Sequence, residues 1–135
     1  MPSVLLVWTA LVILLALVVY LGTMVHCARM RARHRIMAPA TVGHPDFERA
    51  YRIQQNTLEQ LVPFVPAVWL FSTLVNPLLG AALGAIWLLG RVLYAVSYAR
   101  SPEKRGPGFI IAFVILIVLV IGALVKGLTL LPLAA

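Results

Sequence analysis

The chain has 135 residues, of which 62% are hydrophobic and only 11% are charged, and its formal net charge is +7. A soluble domain of this size cannot cover so much apolar surface, so the composition predicts an integral membrane protein with a single domain, residues 1–135. The positive charge does not indicate nucleic-acid binding, because ten of the eleven basic residues lie in two regions, 29–52 and 91–105, as membrane topology would place them.

Four apolar segments are each long enough to cross a bilayer as a helix, which takes about 20 residues. They predict an all-α integral membrane fold, a bundle of four transmembrane helices. The predicted helices cover approximately residues 4–28, 46–74, 77–99 and 107–131.

The predicted connections differ in charge. The loops 29–45 and 100–106 are basic, whereas the turn between the second and third helices, at Asn76 and Pro77, carries no charge. By the positive-inside rule, we expect the two basic loops to lie on the cytoplasmic side of the membrane.

The second helix begins with charged and amide side chains and then enters an apolar segment. At about 100° per residue, five polar side chains of this helix fall within an arc of roughly 100°. They are Arg49, Arg52, Asn56, Glu59 and Gln60. Polar groups at membrane depth are costly unless they are sheltered and paired, so this face is a candidate functional site. A chain this short cannot easily hide such a face, which predicts an oligomer that shelters it between subunits.

A second polar face is predicted on the third helix, where Arg91, Tyr94 and Tyr98 recur at i, i+3 and i+7. Both polar faces open toward the basic loops, which predicts one pocket between the two helices. Arginine side chains bind carboxylates with two parallel hydrogen bonds, and a carboxylate such as Glu59 can receive an ammonium group. The pocket therefore suits a ligand that has carboxylates, an amine and peptide groups.

The sequence contains no catalytic triad, no phosphate-binding glycine-rich loop and no cysteine and histidine spacing typical of a metal site, so no metal is expected. A reaction in this pocket would need a reactive group that the ligand itself brings. An arginine beside a bound thiol would lower the pKa of that thiol and favour the thiolate nucleophile.

Two strings carry the polar residues of both helices. They are Phe-Glu-Arg-Ala-Tyr-Arg-Ile-Gln-Gln-Asn-Thr-Leu-Glu at 47–59 and Arg-Val-Leu-Tyr-Ala-Val-Ser-Tyr-Ala-Arg-Ser at 91–101, followed by Arg105. Together they resemble the MAPEG family, membrane-associated proteins in eicosanoid and glutathione metabolism that include microsomal glutathione transferases and leukotriene C4 synthase. The resemblance implies a homotrimer of four-helix subunits that binds glutathione, as a co-substrate, between neighbouring subunits near the cytoplasmic side.

The resemblance also implies roles for the residues of the two polar faces. Arg52 would bind a carboxylate of glutathione, Asn56 its peptide part and Glu59 its amino group. Tyr94 and Tyr98 would line the same site.

Further roles are implied outside this central group. Arg105 would be the catalytic residue that stabilises the thiolate, and Gln54 would contact the glutathione of a neighbouring subunit. Arg31 stands where the family has a first-helix arginine, and Gln60 replaces a tyrosine of leukotriene C4 synthase-like members. Arg91 would either touch the ligand or pair with Glu59.

The leading functional hypothesis is a membrane-bound glutathione transferase with glutathione peroxidase activity. Its second substrate would be a hydrophobic electrophile or lipid hydroperoxide that partitions into membrane lipid, as in detoxification. Three alternatives remain open: a non-catalytic scaffold of the same fold that binds lipid or glutathione, a small multidrug exporter, and a polar stripe that only holds a trimer together. The exporter is disfavoured because the first helix has no carboxylate.

Overall fold

The structure, a computed structural model, describes residues 4–134 as a bundle of four long helices. The helices are α1 (Val4–Arg33), α2 (Pro45–Leu74), α3 (Pro77–Arg100) and α4 (Gly106–Ala134), and a short 3-10 turn, Pro102–Arg105, precedes α4. All four helices are long and apolar enough to cross a membrane. The chain is therefore a multi-pass membrane protein, as its hydropathy pattern predicts.

Helix α1 is longer than predicted, since it ends at Arg33 rather than near residue 28. Its last turn is basic, and the negative end of the helix dipole stabilises cations there. The next residues leave helical geometry, because Arg35 adopts the left-handed conformation with φ of 53°. The connection to α2 is consequently shorter than the predicted loop 29–45 and covers residues 34–44.

Helices α2 and α3 both begin with a side-chain cap that is followed by a proline. His44 Nδ1 accepts the backbone N–H of Asp46 at 3.2 Å, and Asn76 Oδ1 accepts the backbone N–H of Leu79 at 2.9 Å. Proline suits the first helical position, because it has no N–H group to satisfy and its φ is already helical. Only Val75 and Asn76 separate the two helices, which therefore form a tight hairpin.

The core of the bundle contains an aromatic stack between α2 and α3. The rings of Phe64 and Trp87 lie nearly parallel with their centroids 3.7 Å apart, and both side chains are buried. Ala16 of α1 and Leu119 of α4 belong to the same buried cluster. Lipid is as apolar as this core, so close packing of this kind holds membrane helices together. The stack sets the relative height of α2 and α3, and with it the height of their polar residues.

Helices α3 and α4 lie in close backbone contact where two glycines meet. A Cβ atom added to Gly108 would lie 2.4 Å from the backbone nitrogen of Tyr94 and 2.8 Å from the carbonyl oxygen of Gly90. Two helix backbones can come this close only where the side chain is a hydrogen atom. The contact places the start of α4 directly beside Tyr94.

Candidate functional site

Five residues predicted from the sequence line one cavity of about 430 Å³ beside the 3-10 turn. They are Arg52, Asn56, Tyr94, Tyr98 and Arg105. The cavity lies between α2, α3 and the beginning of α4, so elements that are far apart in sequence build it together. It combines cations, an amide and phenol groups.

Helix α2 presents Arg52 and Asn56 to the cavity because the two residues are four positions apart and share a face. Ile53 is buried next to them and packs in one cluster with Tyr94 and Tyr98. Arg52 is exposed, so its guanidinium group can offer two parallel donors to a carboxylate. This part of α2 therefore provides a wall with a cation and an amide in front of a buried apolar residue.

Helix α3 provides the aromatic wall of the cavity. The rings of Tyr94 and Tyr98 have centroids 5.6 Å apart and are tilted by 58°, and both side chains are largely buried. Phe109 of α4 packs against Tyr94 with a centroid separation of 6.3 Å. The packing fixes both rings, so their edges and hydroxyl groups have defined positions.

Arg105 ends the 3-10 turn and lies over the ring of Tyr98. Its Nη1 donates to the hydroxyl oxygen of Tyr98 at 3.0 Å, and its guanidinium carbon is 5.0 Å from the ring centroid. The turn is closed by a hydrogen bond from the N–H of Lys104 to the carbonyl of Ser101 at 2.9 Å. The side chain of Arg105 is otherwise exposed, so a group bound in the cavity can reach a cation that Tyr98 holds in place.

Arg91 is on the same face of α3 as the tyrosines but is fully buried and does not line the cavity. Its Nη1 donates to Asn56 Oδ1 at 3.0 Å, and its Nη2 donates to Thr57 Oγ1 at 2.8 Å. The guanidinium carbon also lies 4.3 Å from the ring centroid of Tyr94. Within residues 4–134, every ion pair involves Asp46, so Arg91 holds α2 through neutral acceptors rather than through Glu59.

Glu59 and Gln60 are adjacent in sequence but lie on different sides of α2. Glu59 is exposed, and its Oε2 accepts a hydrogen bond from Asn56 Nδ2 at 3.3 Å. Gln60 is buried, and its Oε1 accepts the indole N–H of Trp87 at 3.2 Å. Consecutive helix residues are about 100° apart, which turns Gln60 toward the core. Gln60 does not line the cavity of this chain, so its contact with a ligand stays a prediction.

Replacing Trp87 with phenylalanine is expected to lower the thermal stability of the detergent-solubilised protein. Phenylalanine preserves the stack with Phe64 but leaves the buried Oε1 of Gln60 without its donor, while the Nε2 of the same side chain already lacks a partner within the described chain. A lost interhelical hydrogen bond of this kind costs about 1 kcal/mol. Thermal unfolding measures the effect, and Trp69→Phe on the exposed side of α2 is the matched control. Equal stability of the two variants would contradict this assignment.

Arg31 and Gln54 lie outside the cavity of their own chain. Arg31 donates to the carbonyl of Ala40 at 2.9 Å, and its guanidinium carbon lies 4.6 Å from the ring centroid of Phe47. Gln54 is about 160° away from Asn56 around α2, so it points away from the cavity. Their predicted contacts with a ligand therefore remain predictions, and they would require a neighbouring subunit.

Three cavity residues come from the beginning of α4 and were not predicted. They are Gly106, Phe109 and Ile110. The sequence of the fourth helix is almost entirely hydrophobic, so its composition does not distinguish the residues that line the cavity. The spacing of Phe109 from Arg105 is a signal that could have found one of them, because residues four positions apart share a face of a helix.

His34, His44 and Asp46 meet in the connection between α1 and α2, which the sequence spacing did not reveal. The two imidazole rings stack with centroids 3.6 Å apart and 13° between their planes. Asp46 Oδ2 lies 3.6 Å from His34 Nε2 and 3.9 Å from His44 Nδ1, while Oδ1 accepts from Arg49. These are ligand types of zinc sites, and one ligand atom from each of the three residues lies within 4.8 Å of the other two. The cluster holds the connection between α1 and α2 against the first turn of α2.

Residues 5–125 match the sequence model of the MAPEG family. An uncharacterized protein of Synechocystis sp. is 47% identical over 121 residues, which cover 90% of this chain and 88% of that protein. Microsomal glutathione S-transferase 2 of Mus musculus is 37% identical over 91 residues, which cover 67% of this chain and 62% of the mouse protein. Leukotriene C4 synthase of Cavia porcellus is 35% identical over 100 residues, which cover 70% of this chain and 67% of that enzyme. The matched region thus spans less than two thirds of the mouse transferase.

Proposed function

This chain belongs to the MAPEG family, and on that premise we propose that it is a membrane-bound transferase that conjugates glutathione to hydrophobic electrophiles. The observation that carries the proposal is the cavity between α2, α3 and α4, where five residues predicted for glutathione lie together. Relatives named microsomal glutathione S-transferase 2 and leukotriene C4 synthase support glutathione-related transfer as the chemistry of the family.

The groups around the cavity match the parts of glutathione, which carries carboxylates, an amino group, peptide bonds and a thiol. In this proposal, Arg52 binds a carboxylate through its guanidinium group, and Asn56 binds the peptide part. Glu59, joined to Asn56 at 3.3 Å, receives the ammonium group. Tyr94 and Tyr98 enclose the bound tripeptide from the side of α3.

Arg105 acts on the thiol of the bound glutathione. Its cation, held by the hydroxyl of Tyr98 at 3.0 Å, lowers the pKa of the thiol and favours the thiolate. The thiol proton passes to solvent at the opening of the cavity. The thiolate sulfur then attacks an electrophilic carbon of the second substrate, a carbon–sulfur bond forms, and the leaving group departs with the electron pair of its broken bond.

The polar face of α2 supports a homotrimer in which neighbouring subunits complete each site. Arg52 and Glu59 are exposed on a helix that is apolar enough to span a bilayer, where an uncovered charge is costly. In the trimer, Arg31 and Gln54 reach the glutathione of the adjacent subunit. The basic connections that flank the cavity face the cytoplasm by the positive-inside rule. A strict monomer in detergent, measured by mass, would overturn the trimer.

Replacing Arg52 with alanine is expected to weaken glutathione binding about 10-fold, because a charge-assisted hydrogen bond to a carboxylate contributes about 1.5–3 kcal/mol, part of which water replaces at an exposed site. Calorimetric titration of the detergent-purified protein measures the dissociation constant. Arg100→Ala is the matched control, since Arg100 is an exposed arginine at the end of α3 that does not line the cavity. A similar loss in both variants would indicate a general charge effect instead of a carboxylate site.

The function itself is tested with purified protein, glutathione and an electrophile of the chlorodinitrobenzene type. We expect saturable glutathione binding and formation of the conjugate. Glutathione binding without turnover would favour the non-catalytic scaffold, and the absence of both would overturn the proposal. A lipid hydroperoxide in place of the electrophile tests the peroxidase activity.

A further inference from the structure

Arg91 is a buried cation that joins α2 to α3 at the back of the cavity. Its side chain has 0% exposure, and its guanidinium group is held by Asn56, Thr57 and the ring of Tyr94. A charge removed from water is tolerated only where other groups replace its lost hydration. Its two Nη atoms are paired in this way, while its Nε has no partner within the described residues, and one of the side chains that it holds, Asn56, belongs to the cavity wall.

The guanidinium group determines which way the amide of Asn56 faces. Guanidinium groups only donate hydrogen bonds, so the Asn56 atom that lies 3.0 Å from Arg91 Nη1 has to be the oxygen. The positions of oxygen and nitrogen in an amide are normally inferred from their surroundings, and here the chemistry of arginine leaves one choice. The NH₂ group of Asn56 consequently points to the exposed side of α2, where it donates to Glu59 Oε2 at 3.3 Å.

Thr57 completes this arrangement inside the bundle. Its hydroxyl accepts from Arg91 Nη2 at 2.8 Å and donates to the carbonyl of Ile53 at 2.7 Å. The side chain is 1% exposed, so it holds Arg91 without reaching the cavity. The two arms of the guanidinium group thus connect a buried anchor, Thr57, to a cavity residue, Asn56.

We propose that Arg91 is a positioning residue that makes Asn56 a hydrogen-bond donor toward the bound ligand. The ligand atom that meets Asn56 is then an acceptor, a peptide carbonyl or a carboxylate oxygen, and not an N–H group. One N–H of the amide goes to Glu59, and the other is directed to the ligand. This role rests on the proposed glutathione site. It adds that, in a peptide group, Asn56 recognises the carbonyl oxygen and not the N–H.

The variant Asn56→Asp separates this role from a structural one. The carboxylate has nearly the volume of the amide and forms an ion pair with buried Arg91, so thermal stability is expected to equal or exceed that of the wild type. Toward the cavity, however, it presents a negatively charged acceptor beside Glu59. Glutathione affinity is therefore expected to fall about 30-fold, because an acceptor then faces an acceptor. A purely structural role would leave the affinity unchanged, because the aspartate still accepts the hydrogen bond of Arg91.

A double-variant cycle with Asn56→Ala and Arg91→Met tests the same role independently. If Arg91 acts only through Asn56, the double variant binds glutathione as weakly as Asn56→Ala alone. Additive losses would mean that Arg91 contacts the ligand and would overturn the inference. Should Arg91→Met fail to fold, the Asn56→Asp result decides alone. If the wild-type protein does not bind glutathione, both the proposed function and this role are overturned. If Asn56→Asp binds glutathione as tightly as the wild type, only this role is overturned.

Discussion

Replacing Arg105 with alanine is expected to lower the turnover of glutathione conjugation about 100- to 1,000-fold, the loss seen when one preorganised group that stabilises developing charge is removed. Glutathione binding should weaken far less, because Arg52, Asn56 and Glu59 still hold the carboxylate, peptide and amino parts. Ultraviolet absorbance of the thiolate in the bound complex measures the ionisation, and calorimetric titration measures the binding.

The pH dependence of the Arg105→Ala variant has a defined sign. Without the neighbouring cation, the pKa of the bound thiol rises toward its value in free glutathione, so thiolate and turnover are expected to recover as pH increases. Lys104→Ala is the matched control, since Lys104 is an exposed cation on the same turn that does not line the cavity. A full thiolate signal together with lost binding in Arg105→Ala would instead assign Arg105 to a glutathione carboxylate.

The polar face of α2 shows which contacts of the site the sequence pattern predicts and which it does not. Helical spacing placed Arg52, Asn56 and Glu59 together, and the structure has the first two at the cavity with Glu59 hydrogen-bonded to Asn56. The same arc contained Gln60, which the structure turns toward Trp87 in the core. The angular position of Gln60 on α2 does not predict this contact. The donor is Trp87 of α3, and its height relative to Gln60 depends on how the two helices pack.

The sequence pattern also does not predict how deeply Arg91 is buried or how the connection between α1 and α2 folds. The spacing of Arg91 with the tyrosines predicted a shared face, but its full burial follows from the packing of α3 against α2, where it contacts Asn56, 35 residues earlier in the chain. His34 and His44 stack because the connection between α1 and α2 folds back on itself, with Arg35 in the left-handed conformation. Such contacts follow from backbone dihedral angles that neither periodicity nor composition specifies.

The contact between α3 and α4 determines the shape of the cavity, so Gly108→Val is expected to disrupt both folding and binding. A Cβ atom at this position would lie 2.4 Å and 2.7 Å from the backbone nitrogen and Cα of Tyr94. No rotamer change relieves a clash with backbone atoms, so α4 has to move away from α3. Phe109 and Ile110, which line the cavity, would move with it. Severe overpacking of this kind is expected to cost about 3 kcal/mol.

Thermal unfolding and glutathione titration of Gly108→Val measure the two consequences separately. The same substitution at Gly22 of α1 is the matched control, because a Cβ there has no other atom within 4 Å. Both glycines lie inside helices, so the control removes the general effect of valine on helix formation and leaves only the contact between α3 and α4. A Gly108→Val protein with unchanged stability would show that the two backbones do not touch at Tyr94. Lost stability with unchanged affinity would show instead that α4 is not part of the glutathione site.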